Sequence, residues 1–225
     1  MLIYIYIKMK THIITIFPES FESYFWVSII KKSIDKKLFL PIFYKLNDFS
    51  SKNTARVDDK AYWMHGQVIQ AEPLSKAIEF IFKKVWKKIP VIYFTPDWEL
   101  LNQKNVEKFS KILDEFIIIC GHYEGIDQRI RDFYVNYEIS IWEYVISSWE
   151  LAAQVFLDCL VRNIDWVLWN KNSLEFDSFS KKFDWKKEYP VYSKPKEFLG
   201  LKVPEVLFSW NHKEIEIWKK KNLEN

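Results

Sequence analysis

Three short stretches hold the residues whose types and spacing could do chemistry: "YFTPDW" (93–98), "CGHYEGIDQRI" (120–130) and "SIWEYVISSWELAA" (140–153). Each follows or contains an apolar strand-like run, and each gathers small, polar and acidic residues just beyond it. One such stretch alone reads as a turn. Three in succession read as a ligand-binding rim, because open α/β sheets bind at the carboxyl ends of their strands. The chain has no Gly-x-Gly-x-x-Gly fingerprint and no Walker loop, which argues against a dinucleotide site or an NTPase. Cys120 and Cys159 give neither a disulfide framework nor a metal-site spacing, so no metal ligands are expected and a reduced, cytoplasmic protein is the natural reading.

The elements that must position these stretches follow from hydrophobic periodicity. "HIITIF" (12–17) is expected as a buried strand, a helix from Glu19 to about Lys37, and a second strand in "LFLPIFYKL". The polar segment 47–67 lacks periodicity, and loops of that length in compact domains are usually functional or mobile. "PLSKAIEFIFKKVW" repeats apolar residues at helical spacing, "PVIYFTP" (90–96) is a strand stopped by proline, and "NVEKFSKILD" is a helix. "EFIIICG" (115–121) is the most apolar strand, "YEISIWEYVIS" a further strand-like piece, and "ELAAQVFLDCLVRNI" (150–164) an amphipathic helix. Strands alternating with helices predict an α/β domain with a mostly parallel sheet.

Bulk properties narrow the class little. The 225 residues, 49% hydrophobic and 28% charged, suffice for one sizeable core and a small appended unit. A net charge of +3 permits an acidic partner without requiring one, and the paired lysines, such as Lys181-Lys182 and Lys219-Lys220-Lys221, read individually as solvated faces. No apolar run is long enough to span a bilayer, and "MLIYIYIK" does not make a signal peptide. The anomaly is in two residue types: the chain has 11 Trp and 4 Gly, where ordinary usage would give roughly 16 glycines.

The blocks "IFPESF" (16–21), "ARVDDKAY" (55–62), "AEPLSKAI" (71–78), "VIYFTP" (91–96), "CGHYEGIDQRI", "SIWEYVISSWELAA", "DSF" (177–179), "YPVYSKP" (189–195) and "VPEVLFSWNHKEIEIW" (203–218) resemble, in order, the bacterial tRNA (guanine-N1)-methyltransferase family. The resemblance is collinear from about Met9 almost to the end. It implies a methyltransferase domain of the SPOUT type with a trefoil knot over 9–168, a linker over 169–185, and a small helical tRNA-binding domain over 186–225. It also implies a homodimer with active sites at the interface. Residues 1–8 are then an expected N-terminal extension with Met9 as the start, and the chain stops short of a basic C-terminal segment that many members carry.

The reaction implied is methyl transfer from S-adenosylmethionine to N1 of the guanosine immediately 3′ of the anticodon in tRNA. The family's cofactor pocket falls on Tyr93, Phe94, Thr95, Pro96, Gly121, Tyr123, Glu124, Gly125, Ile141, Trp142, Glu143, Tyr144, Val145 and Ile146. Its general base falls on Asp177 and its catalytic arginine on Arg162. A divalent-ion requirement is left open. His122 departs from the family's usual arginine, Ala152 from its frequent proline, and Met64-His65 interrupt a glycine-rich loop. The alternatives are a knotted methyltransferase with another RNA target and a catalytically silent RNA-binding protein.

The tryptophans align with family glycines at 63, 98, 142, 149, 166, 169, 185 and 210, with 26 and 86 weaker members; Trp218 alone sits where the family uses tryptophan. The pattern is that of UGA codons, glycine in some bacterial codes, translated as tryptophan. The silent-protein reading gains if the indoles are genuine.

Overall fold

A computed structural model of the chain describes residues 7–63, 65–97, 99–168 and 171–223, except the side chains of 171–173. It divides into two compact units, the first ending at Leu168 and the second starting at residue 169.

The first unit is built on strands β1 (Met9–Thr15), β2 (Phe39–Lys45), β5 (Val91–Phe94), β6 (Glu115–Ile119) and β7 (Tyr137–Ile139), with a short hairpin of β3 (Asp58–Lys60) and β4 (Gln67–Ile69) beside them. The five main strands form one sheet in the order β2-β1-β6-β5-β7. All four pairings are parallel. Parallel strands are covered on both faces, which is why β5 and β6 read as unbroken apolar runs rather than alternating ones. Successive residues of a strand point to opposite faces. Thus Ile118 joins one core with Ile13, Phe94, Phe116 and Phe156, while Ile117 and Ile119 join the other with Ile14, Leu74 and Ile78.

Helices α1 (Glu22–Phe25), α2 (Ser28–Asp35), α4 (Gln103–Ile112) and α6 (Trp149–Val161) supply the first core through Phe25, Ile30, Phe109 and Phe156. Helices α3 (Ala71–Val85) and α5 (Gln128–Tyr134) supply the second through Leu74, Ile78, Ile81 and Ile130. The single helix expected from Glu19 to Lys37 is broken into a 3-10 turn (Pro18–Phe21), α1 and α2. Ser28 stands there at φ 52°, a left-handed conformation that no continuous right-handed helix contains. "YEISIWEYVIS" contributes only Tyr137–Ile139 as strand. The polar segment 47–67 carries β3 and the start of β4.

The second unit has 3-10 turns at Lys171–Phe176, Lys181–Phe183 and Glu205–Phe208, a hairpin of β8 (Glu197–Phe198) and β9 (Leu201–Lys202), and helix α7 (His212–Lys221). The expected linker, 169–185, therefore carries two of these turns. Asn211 caps α7 by accepting from the Glu214 N–H, which satisfies one of the helix's orphan donors. Its small core is aromatic: Phe183 lies 5.9 Å from Tyr189, and Trp218 lies 6.1 Å from Tyr189 and 6.4 Å from Tyr192.

Candidate active site

Because β1, β5, β6 and β7 are parallel, Thr15, Phe94, Ile119 and Ile139 end on one rim of the sheet. The three chemistry-bearing stretches all leave from it. Main-chain bonds join them: Thr95 N–H donates to the Ile139 carbonyl at 3.1 Å, Leu101 N–H to Ser140 at 2.7 Å, and Cys120 N–H to Ile14 at 2.9 Å. From the other side β4 grips the 121–127 loop, with Glu124 N–H donating to Gln67 at 3.0 Å and Ile69 N–H to Gly125 at 3.0 Å. Gly66, at φ 111°, lies so close to this loop that a Cβ would come within 2.6 Å of the Glu124 Cγ.

At the end of β6 a Cβ on Gly121 would stand 3.0 Å from both Tyr93 Cε2 and Trp149 Cδ1. The Tyr93 ring also faces Gly125, whose added Cβ would lie 3.2 Å from the phenol oxygen, and the Arg131 guanidinium sits 5.7 Å from its centroid. Burial pushes the Tyr93 phenol up to about 12, so it stays protonated at neutral pH. Arg131 is held in turn by Glu138, with two donor–acceptor distances of 2.8 Å.

Behind the rim lies a buried carboxylate. Glu150, 1% exposed in the first turn of α6, accepts from the Thr15 hydroxyl at 2.5 Å, from the Ser148 hydroxyl at 2.6 Å, and lies 3.2 Å from His122 Nε2. Thr15 Oγ1 accepts from the Phe17 N–H at 3.0 Å. Negative charge is favoured at a helix N-terminus, where unpaired N–H groups converge. Glu150 thereby ties the ends of β1 and β6 to the end of the 140–148 loop. The sequence places Glu150 inside the third stretch with no evident role; an acidic residue at the start of an otherwise apolar helix turn was the available signal.

The expected cofactor residues divide by what they expose. The Phe94 side chain is fully buried, 5.6 Å from Phe156, so only its main chain faces the rim. Ile141 and Ile146 likewise pack against the core. Thr95 is buried, with its hydroxyl 3.2 Å from Asp97 Oδ2. Pro96, Tyr123, Glu124, Trp142, Glu143, Tyr144 and Val145 are exposed. Arg162 caps α6, its N–H bonded to the Asp158 carbonyl at 3.2 Å. Asp177 belongs to the second unit, where its carbonyl accepts from Ser180 N–H at 3.2 Å. Trp98 and Trp169 lie outside the described residues.

Among the described residues no helix is long and apolar enough to cross a membrane. The family model "tRNA (Guanine-1)-methyltransferase TrmD" matches residues 9–225, nearly the whole chain. The chain belongs to the tRNA (guanine-1)-methyltransferase family. Among its curated relatives, a tRNA (guanine-N(1)-)-methyltransferase of Clostridioides difficile (strain 630) is 40% identical over 214 residues, 94% of this chain and 91% of that one. One of Borrelia garinii subsp. bavariensis is 42% identical over 212 residues, 94% of this chain and 86% of the relative. The fold is similar to the crystal structure of tRNA (m1G37) methyltransferase from Aquifex aeolicus, with a TM-score of 0.77 and 33% identity over 95% of this chain and 88% of the other. The three stretches that meet at the rim all lie within the matched residues.

Proposed function

We propose that this methyltransferase transfers a methyl group from S-adenosylmethionine to N1 of the guanosine immediately 3′ of the anticodon in tRNA, in the cytoplasm. The observation that carries the reading is the family match along residues 9–225, with all three rim stretches brought to one edge of the sheet. The rim offers an adenosyl group the main-chain donors and acceptors of 93–96, 121–125 and 141–146, with Gly121 keeping a Cβ away from Tyr93. The Trp149 indole stands in the room this leaves. When bound, S-adenosylmethionine supplies a methyl group carried on a positively charged sulfur.

The chain's own residues would handle the base. Guanine N1 carries a proton and is a poor nucleophile until that proton is removed. Asp177 accepts it as general base. Arg162 stabilises the negative charge that builds on O6. The target guanosine leaves its stack to be methylated. Lysines of the second unit, among them Lys219, Lys220 and Lys221 on α7, contact tRNA phosphates and make binding salt-dependent. The first unit is threaded as a trefoil knot, a reading supported by its likeness to the solved relative. Two copies form a dimer, for which Leu151 and Val155, exposed one turn apart on α6, supply apolar surface.

The test is to incubate the purified protein with an unmodified tRNA transcript and labelled S-adenosylmethionine, then map the methylated nucleotide. N1-methylguanosine 3′ of the anticodon is expected, lost in Asp177→Ala with cofactor affinity kept. Methylation of another nucleotide supports a different RNA target. Binding of tRNA without transfer supports a silent RNA-binding protein.

A further inference from the structure

Five of the nine tryptophans whose backbone is described stand in the left-handed region: Trp63 at φ 60°, Trp86 at 58°, Trp166 at 74°, Trp185 at 64° and Trp210 at 54°. There the Cβ crowds the following carbonyl oxygen, and glycine is the residue that enters without penalty. Non-glycine residues adopt this region only a few per cent of the time, and mostly as asparagine, aspartate or histidine, rarely as bulky side chains. Strain of this kind is normally offset by packing. Trp63, Trp86 and Trp210 are instead 103%, 93% and 88% exposed, so their indoles gain nothing from burial. Trp86 further occupies the left-handed residue closing α3, a position where helices concentrate glycine.

Trp218 behaves differently. It lies within α7 and packs against Tyr189 and Tyr192, as an indole in a small aromatic core should. Trp26, at φ −98°, is also outside the left-handed set, as is Trp142. The misplacement is therefore selective. Trp149 has right-handed geometry as the first residue of α6, but its ring meets Tyr93 at 6.5 Å and fills the space that Gly121 leaves at the end of β6.

We infer that residues 63, 86, 149, 166, 185 and 210 are glycines in the working protein, encoded by UGA read as glycine, and that glycine at 149 clears the rim before Gly121 and Tyr93 for the adenosyl group. The identities at 63, 86, 166, 185 and 210 stand on backbone geometry, that at 149 on the crowding of its ring against Gly121 and Tyr93, and all six on a chain with 4 Gly. The clearing of the rim rests on the methyl-transfer reading.

The experiment has three readouts. The gene should carry UGA at these six positions and UGG at 218; UGG at any of the six overturns its assignment. Peptide mass spectrometry of the protein from its source cells should find glycine at the six and tryptophan at 218, and indole-containing peptides would overturn the recoding. Calorimetry with S-adenosylmethionine then compares the tryptophan chain with the chain bearing all six glycines, and with one restoring only Trp149. Both tryptophan-149 chains should bind about 100-fold more weakly, the scale of overpacking an indole into a filled site. Equal affinities overturn the clearing. Tight cofactor binding by the six-glycine chain without methylation of tRNA supports this inference and counts against the methyl-transfer reading instead.

Discussion

Removing the Glu150 carboxylate should loosen the rim from beneath. In Glu150→Ala the Thr15 hydroxyl, the Ser148 hydroxyl and His122 all lose their acceptor, and Thr15 is fully buried where water cannot replace it. A hydrogen bond to a charged acceptor contributes about 1.5–3 kcal/mol, and leaving a buried donor unpaired costs about 1–3 kcal/mol more. Part of that loss is returned, because a carboxylate kept out of water carries a desolvation penalty of several kcal/mol. The balance is a destabilisation of about 3–5 kcal/mol for Glu150→Ala, the range seen when one partner of a buried charged pair is removed. Glu150→Gln keeps the shape and one acceptor oxygen, and should cost about half as much. Urea unfolding followed by tryptophan fluorescence measures both, read as a shift in midpoint at unchanged slope. Affinity for S-adenosylmethionine should fall in Glu150→Ala beyond what global unfolding explains, because the 140–148 loop loses its anchor to β1. A Glu150→Ala protein within 1 kcal/mol of the parent would refute the reasoning and show that the carboxylate contributes little net stability.

Trp86→Gly should stabilise the chain by about 1 kcal/mol, since relief of left-handed strain exceeds the entropy that glycine adds to the unfolded state; a lower thermal midpoint would contradict this. Acid should unfold the first unit in two stages. Burial lowers His12 below its ordinary 6.5, so stability present above that pH is lost as pH falls through the folded-state value. Burial raises Glu115, but hydrogen bonds from Lys10, Lys87 and His12 outweigh it and hold the carboxyl at about 2 against an ordinary 4.5, so its contribution is lost as pH falls from 4.5 toward 2. Glu115→Gln should abolish the lower stage in a pH series of urea midpoints. Burial, then the Glu150 charge, pushes the Cys120 thiol well above its usual value, so native protein should leave Cys120 unmodified by iodoacetamide at pH 8 while denatured protein reacts.

What the sequence made legible followed burial. β5 and β6 were readable because strands covered on both faces are apolar throughout, and α3 because Leu74, Ile78, Ile81 and Val85 recur at helical spacing. α5 was missed: its seven residues, QRIRDFY, are mostly polar, and it is pinned by the Arg131–Glu138 pair and by Ile130 in the core. Neither is a periodic signal. The rim was visible as three loop stretches after strands, yet sequence could not separate residues that face it from those that face away. Phe94 and Ile141 share its blocks and point into the core. Glu150 shows the deepest limit, because its partners Thr15 and His122 lie 135 and 28 positions away and only the folded sheet brings them near.

The strand order also sets a timetable for synthesis. β1 and β2 can pair as soon as residue 45 is made, but the other edge of β1 belongs to β6, which begins at Glu115. β5, made in between, waits for β6 on one side and β7 on the other. An emerging chain therefore carries unsatisfied sheet edges across some seventy residues of translation, the form in which strands recruit the wrong neighbour. β6 is the strand that joins β1 to β5, before β7 covers the other edge of β5. A ribosome that stalls before residue 119 leaves an open seam, and chaperone occupancy on stalled chains should peak there.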